Sequence, residues 1–146
     1  MSINYDAQDV PLEEFNVDLV YIDSPYISSK GVGTDYIDFY HFLEGIMNYD
    51  NWNEIILNNR KHKPLKGRGE SPWIKKNEIH LAFDELFNKY KDSILVISYR
   101  DDGIPSKEDI IRIIKKYKKD VECISSIDYK YVLSKKESKE ILIIGK

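Results

Sequence analysis

Runs of apolar residues alternate with amphipathic stretches along most of the 146-residue chain. Residues 18–23, DLVYID, place four apolar or aromatic residues between two acids, which predicts a short buried strand. A second strand is predicted at residues 93–100, SILVISYR. The last two predicted strands are VECISSIDYKYVL, from residue 121, and KEILIIGK, from residue 139, joined by the turn-prone segment SKKESK.

Three amphipathic stretches predict helices. Residues 77–90 carry apolar side chains at i, i+3, i+4, i+7, i+8 and i+11, and the helix from Ser106 begins with a capping box formed with Asp109. A further helix begins near residue 36, with Thr34 or Asp35 as its cap. In chain order, the side chains predicted to face the core are Tyr36, Phe39, Tyr40, Leu43 and Met47; Ile79, Ala82, Phe83, Leu86, Phe87 and Tyr90; and Ile110, Ile113, Ile114 and Tyr117.

This order of strands and helices predicts an α/β fold in a single domain, residues 1–146. The helical crossovers predict a mostly parallel sheet, and the last two strands predict an antiparallel hairpin. Residues 50–72 lack a clear period and are predicted to form a long loop region. In such sheets ligands bind at the carboxyl ends of the strands, where residues 23–26 and 98–103 fall.

Composition narrows the functional classes. With 42% hydrophobic and 32% charged residues and no membrane-length apolar stretch, the chain has the composition of a soluble protein. Its first ten residues do not resemble a signal peptide. We therefore expect a cytoplasmic location without membrane association. The net charge of -3 argues against binding nucleic acid through the whole surface. Cys123 is the only cysteine and is predicted to be a small buried residue. The three histidines show no metal-ligand spacing, so no metal site is predicted.

The segment DSPY, residues 23–26, ends the first predicted strand. One alternative is that the segment is only a structural turn. A second is the acid-ended strand of a phosphate-loop NTPase, but the G-x-x-x-x-G-K-[ST] motif that such a protein requires is absent from this sequence. The functional interpretation is that it binds an exocyclic amine. The adenine amine is a poor nucleophile, and it could be oriented by the Asp23 carboxylate and the Ser24 carbonyl, which Pro25 holds extended. Tyr26 could stack on the base.

DSPY resembles the D-P-P-Y motif of adenine-specific DNA amino-methyltransferases, with serine in place of the first proline. The segments GTDYIDFYHFLEGI, ESPW and DSILVISYRDDGIPSKEDI extend the resemblance, over most of the chain, to Dam-like bacterial DNA adenine methylases. The resemblance implies a Rossmann-like, seven-stranded sheet of which this chain carries strands four to seven. It also implies S-adenosylmethionine as cofactor, double-stranded DNA as substrate and a restriction-modification context. Similar motifs in methyltransferases of RNA bases and of a protein glutamine leave those substrates open.

The F-x-G-x-G-type motif with which this family binds its cofactor is not present in the sequence. Asp6 stands where these proteins often place an acid near the cofactor adenine. We therefore expect a C-terminal catalytic portion with an incomplete cofactor pocket, inactive alone, and an open sheet edge that pairs with another chain. The possible arrangements are a split enzyme completed by a second polypeptide, a self-associating fragment and a truncated remnant. The alternative function is a non-catalytic remnant or subunit that binds DNA or a partner chain.

A basic segment and two further residues complete the predicted site. RKHKPLKGR, residues 60–68, holds five Lys or Arg residues in nine positions, which is either a solvated charge run or a surface that contacts DNA phosphates. Tyr99 and Arg100 end the second strand on the same rim as Asp23, and they are predicted to shape the base pocket, with core anchoring of Tyr99 as the alternative. The predicted DNA-binding residues are Lys30, Arg60, Lys61, Lys63, Lys66 and Arg68.

Overall fold

A computed structural model describes residues 5–66, 71–129 and 138–146, and these form a mixed α/β fold. The strands are β1 (Leu19–Ile22), β2 (Ile27–Ser28), β3 (Ile94–Arg100), β4 (Gly103–Ile104), β5 (Val121–Tyr129) and β6 (Ser138–Gly145). The helices are α1 (Tyr36–Phe39), α2 (His41–Met47), α3 (Trp52–Ile55), α4 (Ile79–Lys89) and α5 (Lys107–Ile114), with 3-10 turns at Leu12–Glu14, Tyr49–Asn51 and Pro72–Ile74.

The main sheet has the strand order β1-β3-β6-β5. β1 runs parallel to β3 in a register from Leu19 opposite Ile94 to Ile22 opposite Ile97. β6 lies between β3 and β5 and is antiparallel to both, which confirms the predicted C-terminal hairpin. Because β6 is inserted in this way, the described sheet has one parallel and two antiparallel pairings, and it is less parallel than the sequence predicted.

The core lies between this sheet and the helices α4 and α5. The predicted inner side of α4 is confirmed, since all six of its predicted core residues are buried. In α5 the buried residues are Ile110, Ile113 and Ile114. The predicted capping box is also present: the Asp109 backbone N–H donates to Ser106 Oγ over 3.1 Å, and the hydrogen bond from the Ser106 side chain holds the pKa of Asp109 below its usual value.

β1 is an edge strand, and no strand of the described residues pairs with its outer side. Ile22 is buried, but Leu19 and Tyr21 point to the opposite face and are 53% and 59% exposed. The prediction of a buried strand is therefore correct for one face only. The expected open edge is present among the described residues.

The helix predicted from residue 36 is interrupted at Tyr40 and forms the two short helices α1 and α2. Its predicted core side is wrong, because Phe39, Leu43 and Met47 are 67%, 58% and 82% exposed. Apolar residues surround these helices instead of forming one stripe, and the buried position of α2 is Gly45. The Trp52 ring packs against this glycine so closely that a Cβ there would lie 2.5 Å from it.

Two other local predictions need correction. The predicted loop region 50–72 contains α3 and an isolated bridge between Ile56 and Leu65. Cys123 is exposed rather than buried. Among the described residues, no helix has both the length and the apolar content that a membrane span requires.

Tyr99 at the end of β3 joins the core to the turn that follows β1. Its fully buried ring packs edge-to-face against Phe83 at a centroid distance of 5.7 Å and against Tyr26 at 5.4 Å. The hydroxyl donates to the Ile104 carbonyl over 2.5 Å. Burial raises the pKa of Tyr99 to about 12, although a backbone hydrogen bond from Ile27 opposes the shift. The phenol thus links β2 and β4 through their backbones.

Replacing Tyr99 with phenylalanine tests this link. Tyr99→Phe keeps the aromatic packing but removes the hydroxyl, so the half-buried Ile104 carbonyl loses this donor and the free energy of unfolding should fall by about 1–3 kcal/mol. Urea denaturation followed by circular dichroism measures the change. Tyr49→Phe, at an exposed position, is the control and should be neutral. Equal stability of Tyr99→Phe and the wild type would contradict the link.

Candidate functional site

The segment DSPY leaves the main sheet at the carboxyl end of β1 and leads directly into β2. β2 pairs with β4, and the chain then turns back, so that the Thr34 N–H donates to the Tyr26 carbonyl over 2.9 Å. Asp23 is exposed, Ser24 is buried, and Pro25 and Tyr26 are half-buried. The motif is therefore held from both sides, by the sheet before it and the β2–β4 pair after it.

An open cavity of about 310 Å³ adjoins this motif. This volume lies at the lower end of the range of about 300–1,000 Å³ that is typical of small-molecule sites. The motif is accordingly not sealed inside the protein. The cavity is lined by Ala7, Val10, Val20, Tyr21, Ile22, Asp23, Ser24, Pro25, Trp73, Leu86 and Tyr90.

The motif carries hydrogen-bond acceptors at the cavity. The Asp23 carboxylate is exposed, and its Oδ1 accepts a long hydrogen bond of 3.3 Å from the Tyr26 hydroxyl. Among the described residues, no group donates to the Ser24 carbonyl. The structure therefore brings Asp23, Ser24 and Pro25 together at the cavity. The Tyr26 ring packs against Tyr99 and does not line it.

The N-terminal segment forms the opposite wall of the cavity. The Tyr90 hydroxyl donates to the Ala7 carbonyl over 3.0 Å, and Lys89 Nζ donates to the Gln8 carbonyl, so both bonds hold the segment against the end of α4. Asp6 precedes this wall. It is exposed, and its Oδ1 accepts from the Gln8 N–H over 3.0 Å.

Tyr99 and Arg100 do not line the cavity. Tyr99 is buried in the core, as the alternative interpretation of this residue holds. The Arg100 guanidinium donates to both carboxylate oxygens of Asp102, at 2.9 and 3.0 Å. The part of these two residues in a base pocket stays a prediction.

The basic segment forms a loop outside the core. Arg60, Lys61 and Lys63 are exposed on it, and the Leu57 N–H closes the loop by donating to the Pro64 carbonyl over 2.7 Å. Lys66 differs, because its Nζ donates to the Glu54 carbonyl over 2.8 Å.

The other two predicted cations lie in different places. Lys30 is exposed at the tip of the turn that follows β2, where Gly31 adopts a φ of 79° that glycine accommodates readily. Arg68 lies outside the described residues.

Sequence reasoning missed several residues of the cavity wall. Ala7 and Val10 lie in a stretch without periodicity, so no pattern indicates their place in the cavity wall. Trp73 lies just after the predicted loop region and outside every predicted helix and strand, yet it packs against Phe83 at a centroid distance of 5.1 Å and lines the cavity. Tyr90 carried a usable signal, since it continues the apolar side of α4 past the last turn of the helix.

Comparisons with known proteins identify three related methylases. Modification methylase StsI of Streptococcus sanguinis is 28% identical over 147 aligned positions, which cover 94% of this chain. Type II methyltransferase M.FokI of Planomicrobium okeanokoites is 32% identical over 78% of the chain, and modification methylase LlaI of Lactococcus lactis subsp. lactis is 27% identical over 73%. No family model matches the chain, and no solved structure matches it significantly.

The matched regions are small parts of these relatives, amounting to 20% of StsI and 16% of each of the other two. The predicted resemblance to DNA methylases is nevertheless confirmed, because the similarity runs through most of this chain and includes three such proteins. The chain is therefore similar to a segment that makes up a fifth or less of each of these three DNA modification methylases.

Proposed function

We propose that this chain is the catalytic, target-base portion of an S-adenosylmethionine-dependent DNA methyltransferase that modifies the N6 amine of adenine. The observation that carries the proposal is the position of DSPY, at the carboxyl end of β1 and beside an open cavity of about 310 Å³. The similarity to three modification methylases supports the choice of methyl transfer and of DNA. In this proposal β1, β3, β5 and β6 correspond to strands four to seven of a Rossmann-like methyltransferase sheet.

The residues of the motif would act as hydrogen-bond acceptors for the adenine amine. The amine lone pair is delocalised into the ring, and two acceptors that hold its N–H groups favour the tetrahedral nitrogen needed for attack. The Asp23 carboxylate and the Ser24 carbonyl are suitable because both lie at the cavity without a strong competing donor. Tyr26 would cover the face of the base, which requires its ring to turn from its packing against Tyr99.

The cavity also suits one wall of a cofactor site. Most of its lining is apolar, as the face of an adenine ring requires, and Asp6 borders the N-terminal wall next to Ala7. S-adenosylmethionine supplies the electrophilic methyl group when it is bound. The role of this chain would be to hold the amine at a fixed position, to shield one side of the cofactor from water and to contribute the Asp6 carboxylate.

The methyl-transfer proposal is tested by labelling. The chain, alone and together with the product of the adjacent gene, is incubated with S-adenosylmethionine carrying a labelled methyl group and with double-stranded DNA. Label should enter DNA as N6-methyladenine in the combined sample, and Asp23→Ala should reduce the rate at least about 100-fold because one amine acceptor is lost. Asp18→Ala, at the other end of β1, is the matched control and should retain the rate.

Other labelling results would contradict this function in distinct ways. Incorporation into RNA or protein would give the reaction a different substrate. DNA binding without any binding of S-adenosylmethionine, measured by calorimetry on the same samples, would favour a non-catalytic DNA-binding subunit.

The basic loop is proposed to contact the DNA backbone. Arg60, Lys61 and Lys63 are exposed and make no ion pair within the described part of the chain, so their charges are available to phosphates. Lys30 at the other turn is proposed as an additional contact, while Lys66 already has a backbone acceptor.

Neutralising this loop should weaken DNA binding. The triple variant Arg60→Gln, Lys61→Gln, Lys63→Gln should bind DNA less tightly and lower the slope of log affinity against log salt by about 0.9 for each lost phosphate contact. Fluorescence anisotropy at several salt concentrations measures both quantities. Lys115→Gln with Lys119→Gln, exposed near the end of α5, is the control. An unchanged affinity and slope would remove the loop from the interface.

The open edge of β1 is proposed to pair with a strand of a second polypeptide that completes the cofactor half. An edge strand presents unpaired backbone groups, and here it also exposes Leu19 and Tyr21. The small share of each relative that this chain matches is compatible with a missing portion of the catalytic unit.

The edge proposal predicts association in solution. Without its partner, the isolated chain should sediment as a dimer or larger species at micromolar concentration, because the same edge can pair with a copy. Leu19→Lys should shift the chain toward monomer, since an edge charge opposes strand pairing, whereas Leu81→Lys on the exposed side of α4 should not. A strictly monomeric, folded wild-type chain would contradict the proposal.

A further inference from the structure

The short helices after the motif expose many large apolar side chains that the proposed function does not use. More than half of the exposed large apolar side chains in the described part of the chain lie between positions 36 and 49. Single exposed apolar residues are common on proteins, but a concentrated patch marks a surface that binds a partner. The exposed side chains are Tyr36, Phe39, Tyr40, Phe42, Leu43, Ile46, Met47 and Tyr49.

Trp52 gives this patch a defined shape. Its indole packs on the buried Gly45 of α2, so its position is fixed by the backbone beneath it. It meets the rings of Phe42 and Tyr49 edge-to-face, at centroid distances of 5.8 and 6.2 Å. Two of these rings form walls of an open cleft of about 390 Å³, which is lined by Tyr49, Trp52, Asn53 and Ile56.

The same segment is strongly acidic. Positions 35–56 hold five Asp or Glu residues and no Lys or Arg, and we call these positions the acidic aromatic surface. Asp38, Asp50 and Glu54 are exposed and make no ion pair within the described part of the chain. Lys66 approaches from the basic loop, but its hydrogen bond goes to the Glu54 backbone carbonyl. The carboxylates are therefore available to a cationic partner.

This charge argues against two possible occupants. DNA would bring its phosphates against five acids in a segment that offers no cation, and like charges repel. A second copy docked through the same surface would place acids against acids. A cation is favoured by both features of the surface, because carboxylates attract it and the faces of tryptophan and tyrosine bind it.

We propose that the acidic aromatic surface is a docking site for a basic segment of a partner polypeptide. An Arg or Lys of the partner enters the cleft between Tyr49 and Trp52, and apolar side chains of the partner cover the exposed residues of α1 and α2. Arginine suits the cleft best, because its planar guanidinium stacks on an aromatic ring while it donates to carboxylates. Asp50 and Glu54, next to the cleft residues in sequence, are the acceptors.

This proposal uses a different part of the molecule from the proposed function. It involves neither DSPY nor the cavity beside β1, and the residues that line the two cavities do not overlap. Trp52 lies in the cleft and Trp73 lines the cavity beside DSPY, and the chain has no other tryptophan. The two indole N–H signals in a nuclear magnetic resonance spectrum therefore report separately on the two sites.

A synthetic peptide of leucine and arginine tests the chemistry of the cleft. The peptide is titrated into the ¹⁵N-labelled chain, with Trp52→Phe used to assign the two indole signals. The Trp52 signal should shift with peptide concentration, and the Trp73 signal should not. A shift of the Trp73 signal alone, or no shift at millimolar peptide, would overturn the proposal.

A second peptide, with citrulline in place of every arginine, tests the charge. Citrulline keeps the shape of the side chain but is neutral, so this peptide loses both the contact with the rings and the attraction to the carboxylates. It should bind at least about tenfold more weakly than the arginine peptide. Equal binding of the two peptides would mean that the surface selects only apolar groups, which contradicts a basic partner.

Variants of the chain locate the binding site. Asp50→Asn with Glu54→Gln should weaken binding of the arginine peptide about threefold to tenfold, and Tyr49→Leu should do the same. The matched control is Glu85→Gln with Asp120→Asn, which changes the net charge equally at exposed positions elsewhere. It should change the affinity by less than about twofold. Equal losses in the two double variants would reduce the effect to general charge attraction and overturn the site.

Two measurements on Tyr49→Leu test the other occupants. A loss of DNA affinity in fluorescence anisotropy would make the surface a DNA contact, and a change from an associated chain to a monomer in sedimentation would make it a contact between copies. Either result would overturn the basic partner polypeptide, whereas unchanged DNA binding and association support it. The peptide titration contains neither S-adenosylmethionine nor DNA, so its failure would leave the methyltransferase proposal standing.

Discussion

The parallel pairing of β1 with β3 is the constraint on which the site depends. The ladder runs from Leu19 to Ile22 and then stops, so the next residues leave the sheet at its carboxyl edge. Pro25 cannot donate a backbone hydrogen bond, and its presence restricts Ser24 to extended conformations. An acid and a main-chain carbonyl are thereby placed side by side at the rim. The cavity beside them exists because β1 is an edge strand with α4 and the N-terminal segment packed along one face.

Tyr99 couples this rim to the core. One buried ring contacts Phe83 on α4 and Tyr26 in the motif, and its hydroxyl bonds to β4. Gly103 leaves room for that ring, since a Cβ there would lie 2.7 Å from it. The turn after β1 is consequently supported by the protein interior, whereas the basic loop is held mainly by its own short bridge and by contacts with neighbouring α2 and α3. In the proposed function, the firmly held motif would position the target amine, and the less anchored cationic loop would bind DNA phosphates.

The sequence predicted those parts of the fold in which local pattern and burial agree. The inner side of α4 and the capping box of α5 follow from periodicity and from a side chain that bonds its own backbone, and both are present. The pattern failed from Tyr36 to Met47, because apolar residues there do not indicate which side faces a partner element. It also failed for Cys123, whose burial depends on what covers β5 and not on the residue type.

The candidate site was predictable only where its features are local in sequence. DSPY and its place at a strand end could be read from sequence, since both are local. The far wall could not, because the contact of Ala7 with Tyr90 joins residues more than eighty positions apart without any periodic signal. Tyr99 shows the limit from the other direction: it ends β3 on the same rim as Asp23, yet its side chain packs against Tyr26 and does not line the cavity.

Two hydroxyl groups near the motif affect the stability of the fold in opposite directions. The Tyr99 hydroxyl is buried and forms backbone hydrogen bonds with both Ile104 and Ile27, so these bonds stabilise the fold. The Ser24 hydroxyl is buried to a similar degree but has no partner among the described residues, so in the ligand-free chain it opposes folding. A small domain tolerates few such groups, since its net stability is a small difference between large terms.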